Sequence, residues 1–149
     1  HFKAWDISPI AYQNALHNQQ AYGTKISFFL HNFFNDEPKW RLWTDRADKV
    51  LIVSNPPYIP TQDIQTLDPV VKDFEPHAAL DGGPDGLAFY KKLFSLFLPK
   101  PNATLMVEIG IHQLEPLKTW VQENDPQRTI RHLNDFQEIP RVILVELKG

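Results

Sequence analysis

Two adjacent prolines at the end of a short apolar run constrain this chain more than any other feature. Val50-Leu51-Ile52-Val53 leads through Ser54 into Asn55-Pro56-Pro57-Tyr58. A continuous apolar run of that length reads as a strand over Val50–Ser54 buried on both faces. Each proline removes a backbone donor and fixes φ, and the residue before a proline is pushed to an extended conformation. The chain therefore leaves the strand as a stiff arch. The carbonyls of Asn55 and Pro56 are poorly placed to join a β ladder and are free to face a ligand.

Around that arch, strands alternate with helices. Phe2–Asp6 reads as a short strand ending in an acid, followed by Ser8 as a helix cap and Pro9 at the first helical position. Ala11, Ala15, Leu16 and Tyr22 fall near helical spacing, and Gly23 is a stop signal. Ile26–Leu30 is rich in β-branched and aromatic residues and reads as a strand. Residues 35–49 are polar and aperiodic, a loop or a broken helix, and residues 59–86 are rich in Pro and Gly with little periodicity. A helix is expected over residues 87–98, with Leu87, Tyr90, Leu93, Phe94 and Phe97 on one face. Residues 103–109 read as another buried strand, 112–124 as a helix, and 129–134 with 141–147 as a closing antiparallel strand pair. The pattern predicts an α/β fold, a sheet with helices on both faces. Ligands in such sheets sit beyond the C-terminal ends of the strands. That rule points to Asp6, to the residues after Leu30, to those after Ser54, and to Glu108.

Composition removes several classes. At 149 residues the chain is about one domain long, enough to bury about two thirds of its unfolded surface without staples. It has no cysteine, hence no disulfide, thiolate chemistry or cysteine-ligated zinc; a reducing, cytoplasmic setting is expected. The longest apolar runs are too short to span a bilayer, and no signal peptide is visible. A net charge of −3 supplies no global positive field to draw the chain to nucleic acid. The six histidines show no metal spacing; His31, His77 and His112 read as surface or packing residues, and no metal site is expected.

The arch suits one chemical task. An amide or aromatic NH2 is a poor nucleophile because its lone pair is delocalised. Two acceptors on its two hydrogens, the Asn55 side-chain oxygen and the Pro56 carbonyl, would hold it and raise electron density on nitrogen. Tyr58 would stack on the flat group. Held in line with a sulfonium methyl, the nitrogen needs no strong base, since orientation alone supplies roughly 7–11 kcal/mol in well-fixed cases.

At this point the chain resembles a family. Asn55-Pro56-Pro57-Tyr58 is similar to the signature of amino-methyltransferases that modify adenine, cytosine or glutamine nitrogen. The longer stretch from Val53 through Ile59-Pro60, then Phe74-Glu75-Pro76, then Ala79-Leu80-Asp81-Gly82-Gly83-Pro84-Asp85-Gly86-Leu87, resembles the HemK/PrmC family. These are the N5-glutamine methyltransferases of peptide-chain release factors. Ala4-Trp5-Asp6-Ile7-Ser8-Pro9, Glu108-Ile109-Gly110 and Arg141-Val142 extend the match over essentially the whole chain. The resemblance implies a Rossmann-like fold that uses S-adenosylmethionine (SAM), and a release-factor substrate presenting a Gly-Gly-Gln loop. It implies Asp6 as acceptor for the ribose hydroxyls, Asn32 and Phe33 near the adenine, and Asn55 beside both cofactor and substrate. Asn55, Pro56 and Tyr58 would be catalytic, and Asn55, Pro56, Pro57, Tyr58 and Glu75 would meet the substrate. The family usually has an acid followed by an aromatic where this chain has Asn32 and Phe33, so the polar adenine contact departs from the pattern.

Residues 59–86 carry six acids (Asp63, Asp68, Asp73, Glu75, Asp81 and Asp85) against Lys72 alone. An acidic lip repels a phosphate backbone and suits a basic protein loop. The family's glycine-rich cofactor loop would precede Phe2, as would a strand between the one ending at Asp6 and the one ending at Ser54. A chain that opens on His1 and is strand-like by Lys3 is expected to begin at a cut boundary. Its sheet is expected to be incomplete at the N-terminus, with residues 1–149 as a partial catalytic domain completed by a missing N-terminal segment, by a second chain or by self-association. Two other readings stand beside glutamine methylation: an N6-adenine methyltransferase of DNA or RNA, which would need base flipping and a basic groove, and a truncated, non-catalytic fragment.

Overall fold

In a computed structural model, which describes residues 1–147, Phe2–Asp6 forms β1 and Ile26–Leu30 forms β2. The two pair in parallel, Phe2 opposite Ile26 and Asp6 opposite Leu30, with helix α1 (Pro9–Tyr22) as the crossover that parallel strands require. Local signals set both ends of α1. The Ser8 hydroxyl accepts from the Ala11 N–H at 3.2 Å. Gly23 takes the left-handed conformation, φ 63°, and its N–H closes the last turn.

Beyond β2, Asn32 caps a 3-10 turn over Phe33–Asn35, and α2 runs from Glu37 to Thr44. Residues 35–49 are thus the broken helix of the two readings. Their polarity hides a packed face. Trp40, 1% exposed, stacks on Phe33 with centroids 5.4 Å apart. Trp43 meets Trp5 and Phe29, which stack on each other at 5.0 Å. These strands and helices belong to one compact unit, His1–Ala47; the rest of the chain forms a second, Asp48–Gly149.

The second unit opens with β3 (Val50–Ser54), then a 3-10 turn (Thr61–Thr66) and the short helices α3 (Pro69–Phe74) and α4 (His77–Leu80). Next come α5 (Ala88–Phe97), β4 (Ala103–Glu108), α6 (Leu114–Asn124), β5 (Arg128–Asn134) and β6 (Pro140–Leu147). The sheet order is β3-β4-β6-β5. β3 and β4 are parallel, and β5 and β6 form the expected antiparallel pair, with β6 also antiparallel to β4. The core lies on one face. Leu105 and Val107 stand opposite Val145 and Ile143, and all four are fully buried with Tyr90, Phe94, Phe97, Leu117 and Val121. Each such side chain contributes about 1.5–3 kcal/mol relative to exposure. No helix among the described residues is long and apolar enough to cross a membrane.

Two expectations need correction. β3 is not buried on both faces: Leu51 and Val53 are 58% and 67% exposed, because the face of β3 that carries these alternate residues has no layer packed on it among the described residues, while Val50, Ile52 and Ser54 on the other face are half-buried. Residues 59–86 are not without regular structure. Periodicity does not register such short helices; α3, for one, starts on local chemistry, the Asp68 carboxylate capping the Val70 N–H at 2.8 Å before Pro69.

Candidate functional site

Because β3 and β4 run in parallel, with Ser54 opposite Val107, the chain leaves both at one edge of the sheet. There the arch of residues 55–58 meets Glu108-Ile109-Gly110. Pro56 is buried, Pro57 and Tyr58 are half-buried, and Asn55 is exposed. Past the arch, Ile59 bridges Asp81 in parallel. Its N–H donates to the Leu80 carbonyl at 3.0 Å and its own carbonyl accepts from Gly82 at 2.9 Å.

The segment from Asp81 to Gly86 braces this exit. Asp81 Oδ1 accepts from the Thr61 hydroxyl at 2.7 Å and from the Gly83 N–H at 2.9 Å. Asp85 accepts from the Leu87 N–H at 2.9 Å, just ahead of α5, and from Lys91 at 2.6 Å. Gly86, at φ 73°, lies so close that a Cβ there would sit 2.5 Å from the Tyr58 carbonyl oxygen. No side chain fits that place. Three acids of the expected lip, Asp68, Asp81 and Asp85, therefore hold local structure. Asp63, Asp73 and Glu75 are exposed and make no ion pair among the described residues.

These contacts set an acid limit on the fold. The Thr61 hydroxyl and then the Gly83 N–H hold the Asp81 carboxyl below its ordinary value of 3.8. Lys91 and then the Leu87 N–H do so for Asp85, and Arg141 and then the Ile139 N–H for Asp135. A depressed folded pKa contributes stability that is present above the unfolded value and lost as pH falls through the folded one. The Asp48–Gly149 unit should keep that contribution down to pH 3.8 and lose it below. Asp81→Asn should flatten the loss, read by far-UV circular dichroism during acid titration. An acid transition that begins well above pH 4 and is untouched by Asp81→Asn would contradict this assignment.

Burial first, then the charge of nearby Glu108, raises the Tyr58 pKa, with Glu75 adding in the same direction. The phenol stays neutral. Arg141, paired with Asp135 at 2.9 Å, also faces Tyr58 and Glu108. The buried Tyr90 hydroxyl donates to the Glu108 carbonyl at 2.8 Å. The Tyr58 carbonyl accepts from Gln113 Nε2 at 2.9 Å. The sequence reading missed Gln113, because one amide in a loop has no periodicity. The available signal was its place three residues past Gly110, at the exit of a strand.

Amid these contacts, two acceptors are unused. Neither the Asn55 side-chain oxygen nor the Pro56 carbonyl accepts a hydrogen bond among the described residues. The structure thus brings Asn55, Pro56, Pro57 and Tyr58 together with Glu108, with Glu75 near enough to Tyr58 to act on it electrostatically.

Asp6, Asn32 and Phe33 lie in the His1–Ala47 unit, beyond the C-terminal ends of β1 and β2. Asp6 Oδ1 accepts from the Ser8 N–H at 2.7 Å, and Oδ2 has no partner among the described residues. An exposed carboxylate oxygen at the end of a parallel strand fits a vicinal diol, the ribose of a SAM molecule included. Asn32 Oδ1 is committed to the Phe34 N–H at 3.0 Å, which leaves its NH2 as the polar group to offer. One face of Phe33 is taken by Trp40 and its neighbourhood by the edge of Trp5.

Comparison with known proteins bears on what this edge belongs to. No protein-family model matches the chain. The "Release factor glutamine methyltransferase" of Geobacter sulfurreducens is 46% identical over 114 residues, 72% of this chain and 36% of its own length. That of Bacillus cereus is 33% identical across 99% of this chain and 51% of its own length. The chain thus spans about half the length of such relatives. Among solved structures, the hMettl16 catalytic domain in complex with a MAT2A 3′UTR hairpin has a TM-score of 0.65 at 14% identity, covering all of this chain and 56% of its own. A release factor-specific protein-(glutamine-N5) methyltransferase from Alicyclobacillus acidocaldarius has a TM-score of 0.50 at 21% identity, covering 99% and 79%. At those identities the structures establish the methyltransferase fold and nothing finer. The sequence relatives carry the assignment further: matched along nearly its whole length by proteins of one name, the chain belongs to the release factor glutamine methyltransferase family.

Proposed function

We propose that this chain carries the amide-binding part of an enzyme that transfers a methyl group from SAM to the side-chain nitrogen of a glutamine, in the Gly-Gly-Gln loop of a peptide-chain release factor. The supporting observation is the pair of idle acceptors, Asn55 Oδ1 and the Pro56 carbonyl, set in a frame whose neighbouring polar groups are engaged. A primary amide has two N–H donors in one plane, and two fixed acceptors match them. Tyr58, kept neutral by burial and the nearby Glu108 charge, offers a ring face to the planar amide. With both hydrogens held, the lone pair has one direction left and orientation lowers the barrier to attack, while the proton that the nitrogen sheds on gaining the methyl would pass, by the acceptor that held it, to water. Pro57 keeps the arch stiff, and Glu75 is placed to meet the substrate loop.

SAM, when bound, supplies an electrophilic methyl on a sulfonium. Toward it, Asp6 would accept from the ribose hydroxyls, Asn32 would donate to the adenine, and Phe33 would stand beside it. Asn55 would sit beside both the donor and the amide. The test joins the chain to the N-terminal part of a full-length relative that supplies the glycine-rich loop, incubates it with SAM and a Gly-Gly-Gln peptide, with an adenine-containing oligonucleotide in parallel, and reads a mass gain of one methylene on either. Methylation of the glutamine is expected. Methyl transfer to adenine alone would replace this reading with a nucleic-acid one, and transfer to neither would leave the chain as a non-catalytic module.

A further inference from the structure

Gln113 ties together three segments that lie far apart in the sequence. Its side-chain Oε1 accepts from the Gly110 N–H at 2.8 Å, and its Nε2 donates to the Tyr58 carbonyl at 2.9 Å and the Gly86 carbonyl at 3.2 Å. The residue is 7% exposed. One acceptor and two donors in a plane, at this reach, describe a glutamine amide and nothing else among the side chains. Glutamate has no donor, methionine has neither, and asparagine is one methylene short.

The surroundings are shaped to this amide. A Cβ on Gly86 would lie 2.7 Å from Nε2, and one on Gly110 would lie 3.0 Å from Oε1 and 3.0 Å from the Tyr58 ring. Just before Gln113, His112 takes a positive φ of 68°, a conformation that non-glycine residues adopt only when the surroundings impose it. Directly after it α6 begins, with the Leu117 N–H on the Gln113 carbonyl at 3.1 Å. The backbone of Gln113 is thereby fixed from both sides.

The arch gives this tether a consequence. Between Asn55 and Tyr58 stand two prolines with fixed φ, and Asn55 and Pro56, each before a proline, are held extended, so few backbone torsions separate the Tyr58 carbonyl from the Pro56 carbonyl and the Asn55 backbone. Pinning the Tyr58 carbonyl therefore narrows the directions in which the acceptors of the arch can point. We propose that Gln113 is a positioning residue that aims the two acceptors of the arch at the nitrogen to be methylated. The proposal rests on the amide-methylation reading above.

The test uses Gln113→Met, which keeps length and volume, and Gln113→Glu, which keeps shape but loses the donors at neutral pH. Gln113→Met should remain folded by circular dichroism, and its turnover on the Gly-Gly-Gln peptide should fall by about tenfold to a hundredfold with KM changed far less. Gln113→Glu should be impaired at neutral pH and recover as pH falls, because a protonated carboxyl regains one donor; the wild type should show no such rise. A merely space-filling residue would give neither the split between turnover and KM nor the pH-dependent rescue. Hydrogen exchange separates this proposal from the activity reading. The Gly110 and Ile59 N–H groups should exchange faster in Gln113→Met than in wild type while the β4–β6 ladder is unchanged. If wild type transfers no methyl to glutamine, the amide reading falls, and exchange still decides the tether. Unchanged exchange at Gly110 and Ile59, or wild-type turnover in a folded Gln113→Met or in Gln113→Glu at neutral pH, would overturn the proposal. Should Gln113→Met fail to fold, the pH profile of Gln113→Glu carries the decision.

Discussion

Asn55→Ala is expected to lower turnover on the glutamine substrate by about 10²–10³-fold and to leave the fold as it is. The two halves of this expectation rest on the same fact. Asn55 is exposed, and its side chain accepts no hydrogen bond among the described residues. Truncating a side chain with no partner in the folded state changes stability by no more than about 0.5 kcal/mol. What is lost is an acceptor aimed at the reacting group. Removing a single preorganised polar group at a reacting centre costs about 10²–10³ in turnover where it has been measured, and the Asn55 oxygen plays the corresponding part toward an N–H. The amide would still be held by the Pro56 carbonyl, so KM should move little while turnover falls, the pattern of an interaction realised in the transition state. Asn55→Asp keeps the acceptor oxygen but adds a charge and removes the NH2; it should lie between alanine and wild type. Steady-state kinetics with the Gly-Gly-Gln peptide, beside a thermal melt, reads both halves. A folded Asn55→Ala with wild-type turnover would remove Asn55 from the chemistry and leave the arch as a turn.

How much of this was legible in the sequence follows from what kind of signal each residue emits. β1, β2 and β3 were readable to the residue: β2 and β3 are short runs rich in apolar, aromatic and β-branched residues, and β1, although Lys3 interrupts it, ends at Asp6 just before the Ser8-Pro9 helix start. So was α1, whose cap and stop are local chemistry at Ser8 and Gly23. The apolar run of β3 by itself read as buried on both faces; the exposure of Leu51 and Val53 on one face is what a sheet lacking the neighbouring strand leads one to expect. Helix α6 starts at Leu114 and not at 112 because His112 turns left-handed to deliver Gln113 into the site. No periodicity encodes that turn. The arch was legible because proline acts through its own backbone, while the contacts that aim it come from residues up to 55 positions away and are visible only once the chain has folded. The acids behaved in the same way. Asp81 and Asp85 looked like members of a charged lip, yet the fold spends them on N–H groups and on Lys91.

Arg128→Met is expected to destabilise the Asp48–Gly149 unit by about 3–5 kcal/mol, the largest stability effect of any single exchange considered. Arg128 is fully buried. Its Nη1 donates to the Ala103 carbonyl at 2.7 Å, and its Nη2 to the Leu98 and Lys100 carbonyls at 2.6 and 2.5 Å. Its Nε meets the Asp125 carboxylate at 3.3 Å. Leu98 and Lys100 lie just past the C-terminus of α5, where carbonyls are left without helical partners and a cation is favoured by the helix dipole. Ala103 opens β4. One planar guanidinium thus closes a helix end, starts a strand and begins β5. Methionine fills much of the volume but takes a donor from three carbonyls, of which that of Lys100 keeps the Ala103 N–H at 3.1 Å, and leaves Asp125 without its partner; removing one member of a buried charged pair costs about 3–5 kcal/mol. Arg128→Lys should not restore stability, because a compact ammonium cannot reproduce the fork that spans Ala103 and Leu98 together. Urea unfolding should show a lower midpoint with an unchanged slope. The opposing outcome is physically meaningful: buried charged groups are often replaceable by apolar residues without loss. A Met variant as stable as wild type would mean that water reaches those carbonyls once the guanidinium is gone, and that packing around Leu105, Val107, Ile143 and Val145 holds the sheet without this staple. A large loss in both variants would show that the turn from α5 into β4, which aligns β4 beside β3 at the edge where the arch leaves the sheet, depends on a single buried cation.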